Sequence, residues 1–171
     1  MGLRKKYIDF IFKNITSVAG KEILELGNQY IRKDGIDEID TVFKTGKEYW
    51  TSLGAIHTSI DKNGEDGTLI YDLIKPILNF DDKFDIVIDI GTTCYTGNLE
   101  ACHKNLIRMT KPGGVIFQFI PEKNSNWTAE EYIDLSYVND LAKRLNVKKI
   151  EAIIIFGLYG NLISFCMEKV K

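Results

Sequence analysis

The sequence holds little that suggests disulfide, zinc or membrane chemistry. Its 171 residues include three cysteines (Cys94, Cys102 and Cys166), an odd number set far apart. They form no CxxC and no Cys/His pair at zinc-ligand spacing, so a reduced, cytoplasmic chain is the natural expectation. The three prolines are scattered. With no proline-rich linker, internal repeat or low-complexity tract, residues 1–171 read as one domain, large enough to bury a core without staples. Neither sign of charge dominates: 22 Lys and Arg against 24 Asp and Glu give a net −2. That balance leaves no electrostatic footprint for nucleic acid or an anionic membrane. Long apolar runs are missing as well. The segment after Lys6 is broken by Asp9 and Lys13, which excludes a signal-peptide core and a membrane span. Lys6 also stands where a myristoylation signal wants Ser or Thr.

What the chain does have is alternation between short apolar runs and helical patterns. Ile8, Ile11, Phe12 and Ile15 share one face of an amphipathic N-terminal helix. Strands are predicted at 22–26 (EILEL), 55–60 (AIHTSI), 68–73 (TLIYDL) and 84–90 (FDIVIDI). A helix is predicted over 40–53, weakened by Gly46. Another fits 98–110, where Leu99, Cys102, Leu106 and Met109 recur at helical spacing before KPGG (111–114) turns the chain into a strand at 115–121. A capping box of Thr128 and Glu131 is expected to open the next helix. Two last strands, 149–156 and 161–168, are joined by GLYG at a length that suits an antiparallel hairpin.

Strands separated by helices imply right-handed crossovers and a mostly parallel sheet with helices on both faces. One spacing is unusual. Only KNGEDG (62–67) separates the second and third strands, and a parallel crossover normally needs a dozen residues or more. A crossover trimmed to a tight loop is preferred over antiparallel pairing.

In such sheets ligands bind beyond the carboxyl ends of the strands. Gly27, Asp61, Asp72 and Gly91 all fall at strand ends. A glycine lets a ligand approach the backbone, and the following helix points amides at it. An acid ending the second strand can accept from both ribose hydroxyls, which singles out Asp61 with Lys62 beside it. Asp72 and Leu73 are placed to meet a base at its edge and face. Either aspartate also suits a turn-capping role. Glu25 is an acid inside a run that should be buried, a costly position without a partner. His57 reads as a structural strand histidine, and His103 as solvated. From position 27 to position 61 is 34 residues, beyond the roughly 20 of a dinucleotide fingerprint, and GxGxxG is missing. Both features argue against NAD or FAD.

ILELG, SIDKNGEDG, LIYDLIKPI, KFDIVIDIGT and KPGGVIFQF, in that order, resemble the class I S-adenosylmethionine-dependent methyltransferases. The resemblance spans roughly residues 21–121 and is most specific in the pairing of KFDIVIDIG with KPGGVIFQF. It looks closest to a small, phage- or marine-type group. It implies an α/β, Rossmann-like fold with a seven-stranded, mostly parallel sheet and a C-terminal antiparallel hairpin. S-adenosylmethionine is the implied cofactor, with Glu25 and Gly27 near its methionine end, Asp61 on the ribose and Asp72 at the adenine amino group. Gly91 and Thr92 line the place where the methyl group is presented.

Two departures stand out. The first loop has Gly27-Asn28-Gln29 where the family carries two or three glycines. Asn28 and Gln29 either replace glycine backbone contacts with side-chain amides or close the pocket. Cys94-Tyr95 stands where the closest group tends to carry Glu-His. With no NPPY or DPPY after the fourth strand, exocyclic amines of DNA bases are unsuited as targets, and no acid cluster suggests a metal. The reading is therefore a methyltransferase for a small-molecule or other non-DNA acceptor, with Tyr95 and Trp127 in loops where a substrate would stand. A weakly binding scaffold on the same fold is the alternative.

Overall fold

The computed structural model describes residues 2–156 and 160–170. In chain order the elements are β1 (Gly2–Leu3), α1 (Lys5–Asn14), β2 (Glu22–Leu26), β3 (Tyr30–Ile31), α2 (Gly46–Ser52), β4 (Ile56–Asp61) and β5 (Leu69–Ile70). They continue with β6 (Phe84–Asp89), α3 (Leu99–Met109), β7 (Thr110–Pro121), α4 (Leu135–Arg144), β8 (Val147–Ile155) and β9 (Leu162–Lys169). The main sheet has seven strands in the order β5-β4-β2-β6-β7-β9-β8. Neighbours from β5 to β7 pair in parallel, and β9 is antiparallel to both β7 and β8. The expected GLYG connection falls, at residues 157–159, outside the described residues. β1 and β3 form a separate parallel pair.

Both faces of the sheet are covered, which is why its central strands are nearly continuous apolar runs. Alternation along each strand sends neighbours to opposite sides. Ile23, Ile86, Ile88, Phe117 and Phe119 join the core under α1, where the Phe10 ring lies edge-on to that of Phe117 at 6.2 Å. Leu24, Val87 and Ile116 face Cys102, Leu106 and Met109 of α3. A third cluster fills the space between the hairpin and α4, with Ile163 and Phe165 against Val138 and Leu141.

The trimmed crossover is real. β5 pairs in parallel with β4, Ile60 opposite Leu69 and Asp61 opposite Ile70. Positive φ at Gly64, Asp66 and Gly67 turns the chain within residues 62–68.

Two predicted helices start later than expected. The helix over 40–53 is confined to Gly46–Ser52, opened by a capping box of Thr45 and Glu48. Gly46 is its first residue, where helix propensity matters little. Thr128 and Glu131 form no capping box; Asp134 caps α4 by accepting from the Tyr137 amide at 2.8 Å. Glu131 is used elsewhere, accepting from the Leu99 amide at the start of α3 at 2.8 Å. No helix among the described residues is long and apolar enough to cross a membrane.

Candidate functional site

A cavity of about 260 Å³ opens at the carboxyl ends of β4, β5 and β6. One wall is Asp61 and Lys62, closing β4; a second is Tyr71 and Leu73, just after β5. The third is Gly91, Thr92, Tyr95 and Thr96, in the turn after β6. Six of these eight were expected from sequence; Tyr71 and Thr96 were not. Tyr71 carried a signal, since it lies two residues from Leu73 and an extended chain puts both on one side.

The turn after β6 is pinned from beneath by Asp89, which sequence reasoning passed over. Its Oδ1 accepts from the Thr92 amide at 2.7 Å and the Thr93 amide at 3.3 Å. Its Oδ2 accepts from the Thr93 hydroxyl and, at 3.0 Å, from Gln118 Nε2 on β7. Burial nevertheless lifts the Asp89 carboxyl above the ordinary range. The argument that marked Glu25, an acid in a buried run, applies equally to Asp89.

Gly27 lies beside the cavity with φ +75°, its amide donating to Ile60 O at 2.8 Å. A Cβ there would stand 2.7 Å from Thr92 Oγ1, 3.0 Å from Gln29 Nε2 and 3.6 Å from Asp61 Oδ2. Close approach of Thr92 and Gln29, as well as backbone conformation, favours the glycine; Asp61 stands at ordinary contact distance. Gln29 is buried, and its Nε2 donates to Leu26 O at 3.0 Å; Thr92 Oγ1 donates to the same carbonyl at 2.9 Å. Asn28 turns outward and donates to Asp66 Oδ2 at 2.6 Å, tying the first loop to the trimmed crossover.

Glu25 and Asp72 do not line the cavity. Glu25 is fully buried. Its Oε1 accepts from Trp50 Nε1 at 3.2 Å, and its Oε2 from His57 Nε2 at 3.3 Å. That is the partner its burial demanded. Asp72 forms a turn, accepting from the Ile74 amide at 3.3 Å and facing Lys75 Nζ at 3.5 Å.

Trp127 lines a second hollow of about 260 Å³ with Asn126, Thr128 and Tyr95. Tyr95 borders both spaces. Trp127 Nε1 donates to Gly160 O at 3.1 Å.

His103 is buried, not solvated, because α4 packs over it: its Nδ1 lies 3.4 Å from the Tyr137 hydroxyl. Burial pushes its pKa down to about 4. Burial likewise pushes the thiols of Cys94 and Cys166 up to about 12 and that of Cys102 to about 11, so none is a ready nucleophile. Among the described residues no group of three or more His, Cys, Asp and Glu could hold a metal ion.

No protein-family model matches the sequence, and no curated protein does. Solved structures match the fold throughout. The Burkholderia thailandensis 1,6-didemethyltoxoflavin-N1-methyltransferase, with S-adenosylhomocysteine bound, superposes with a TM-score of 0.67 at 8% identity, over 98% of this chain and 78% of that one. The N-methyltransferase NodS from Bradyrhizobium japonicum WM9, also with S-adenosylhomocysteine, gives 0.68 at 12% identity, over 97% and 86%. The fold is that of the S-adenosylmethionine-dependent methyltransferases. The [4+2]-cyclase SpnF gives 0.69 at 8% identity, over 97% and 80%. The same architecture thus serves a cyclisation too, and the reaction has to be argued from the site.

Proposed function

We propose that this protein is an S-adenosylmethionine-dependent methyltransferase acting on a small-molecule or other non-DNA acceptor. The observation that carries the reading is the cavity at the carboxyl ends of β4 and β6, with Asp61 at its edge and Gly27 beside it. Asp61 would accept from the ribose hydroxyls. Tyr71 and Leu73 would cover the base, and Gly91 and Thr92 would border the carbon that carries sulfur. When bound, the cofactor supplies a methyl group already activated on a sulfonium.

The chain's own contribution is positioning and exclusion of water. Asp61, Tyr71 and Leu73 would hold the donor so that its activated methyl group faces the hollow bordered by Tyr95. His103 is buried behind Tyr137 and the cysteine thiols hold their protons. An acceptor bearing its own lone pair, such as a neutral nitrogen, fits these surroundings better than one that must first be deprotonated. The hollow shared by Tyr95 and Trp127 is the place for it.

Calorimetric titration with S-adenosylmethionine and S-adenosylhomocysteine tests the reading. Both should bind, and Asp61→Ala should weaken both at least about tenfold, the loss of a charge-assisted hydrogen bond. Absence of binding by either at millimolar concentration sinks it.

A further inference from the structure

Resting on that reading of the cavity, we infer that the site recognises its donor through the adenosine half alone. The acid and two of the helix amides nearest the loop are already engaged within the protein. An α-ammonium needs an acceptor. Glu25, the acid next to the loop, is fully buried, with one carboxylate oxygen held by Trp50 and the other by His57. Gly46 seals that carboxylate on another side, so tightly that a Cβ at position 46 would stand 2.3 Å from Glu25 Oε1.

An α-carboxylate needs donors, and helix amides are the usual source. Two of those at the start of α2 are used internally. The Gly46 amide donates to Gln29 O at 2.7 Å, and the Glu48 amide to Thr45 Oγ1 at 3.2 Å.

Gln29 occupies the space next to Gly27 that a glycine would leave open. Its Nε2 is fixed on Leu26 O, and its Oε1 is buried without a partner among the described residues. That oxygen is an acceptor in the right neighbourhood, but it is covered from solvent. The question raised by Asn28 and Gln29 therefore has a divided answer: Asn28 braces the loop from outside, and Gln29 fills it from within.

The cavity is consistent with this restriction. Its volume of about 260 Å³ is below the range of roughly 300–1,000 Å³ usual for sites that enclose a whole drug-sized ligand. None of Glu25, Gly27, Asn28 and Gln29 is among its lining residues.

The test is calorimetric titration of the wild-type protein with adenosine, 5′-methylthioadenosine and S-adenosylhomocysteine. The last two differ essentially by the amino-acid arm. Expected dissociation constants for these two agree within about threefold, less than one hydrogen bond's worth. S-adenosylhomocysteine binding more than about threefold tighter than 5′-methylthioadenosine overturns the inference and leaves the donor reading intact. If none of the three binds, both fall.

Gln29→Ala separates filling from recognition. Emptying the space should improve S-adenosylhomocysteine by about tenfold relative to 5′-methylthioadenosine, with adenosine unchanged. A selective loss of S-adenosylhomocysteine would make Gln29 Oε1 the ammonium's partner, and the inference wrong. Circular dichroism of the variant confirms that the comparison is made on folded protein.

Discussion

Gln118 on β7 and Asp89 on β6 face each other across the sheet, with Gln118 Nε2 donating to Asp89 Oδ2 at 3.0 Å. The contact joins the core to the site, because the same carboxylate holds the amides of Thr92 and Thr93 in the cavity wall. Asp89→Ala removes those acceptors and leaves Gln118 unpaired in the core. A loss of about 2–4 kcal/mol in urea unfolding is expected, with weaker adenosine binding. Asp89→Asn keeps an acceptor and sheds a buried charge, so it should cost clearly less. Equal losses for the two variants would remove the hydrogen-bond explanation.

His103 makes stability depend on pH. Unfolded, its imidazole takes up a proton near the ordinary value of 6.5; folded, only near 4, because burial disfavours the charged ring. Between those values the unfolded chain binds more protons, so stability falls as pH falls. From pH 7 to pH 5 the expected loss is about 2 kcal/mol. Asp89 works in the opposite direction, since its raised pKa lets the native state take a proton first as acidity increases. His103→Gln, neutral throughout, should flatten the change in urea midpoint between pH 7 and pH 5. An undiminished slope would assign it to other groups.

Gly46→Ala tests packing. In a helix interior the change would gain about 1 kcal/mol, but at the first helical position little of that gain is available. Here the new methyl would stand 2.3 Å from Glu25 Oε1 and 2.8 Å from its Cδ. Overpacking a sealed carboxylate should reverse the sign and cost about 1–3 kcal/mol in chemical denaturation. A stabilised variant would show that Glu25 has room to move.

Gly27→Ala combines backbone strain with a clash. An alanine at φ +75° costs about 1–2 kcal/mol, and its Cβ would press on Thr92 Oγ1 at 2.7 Å. Thr92 would then have to leave Leu26 O. A stability loss of about 2 kcal/mol and a parallel fall in adenosine affinity are expected, measured by thermal shift with and without ligand.

The positions of the strands were legible because strands buried on both faces leave short, mostly apolar runs such as FDIVIDI, bounded by turn residues. Helix starts were less so. Thr128 and Glu131 have the right spacing for a capping box, but Glu131 is taken by Leu99, 32 residues away in sequence. In the site, Asp61, Leu73, Gly91 and Thr92 were found because strand ends are fixed by the fold. Glu25 was seen as an anomaly, but its partners Trp50 and His57 lie 25 and 32 residues further on. His103 was misread for the same reason. Tyr137, 34 residues away, covers it, whereas α3 considered alone leaves the ring at the margin of its apolar stripe.

The trimmed crossover has a consequence for motion. Tyr71 and Leu73 hang from a strand two residues long whose side chains, Leu69 and Ile70, are exposed. The opposite wall is bolted to the sheet by Asp89. Leu73 is held too, buried in the core with its carbonyl accepting from Asn105 Nδ2 at 2.7 Å, so the loosely held part of this edge is Leu69 and Ile70. Amide hydrogens of Leu69 and Ile70 should exchange fastest in the sheet and slow most when adenosine is added. By omitting a helix, the chain has left the rim of its cavity to a sheet edge only two residues long.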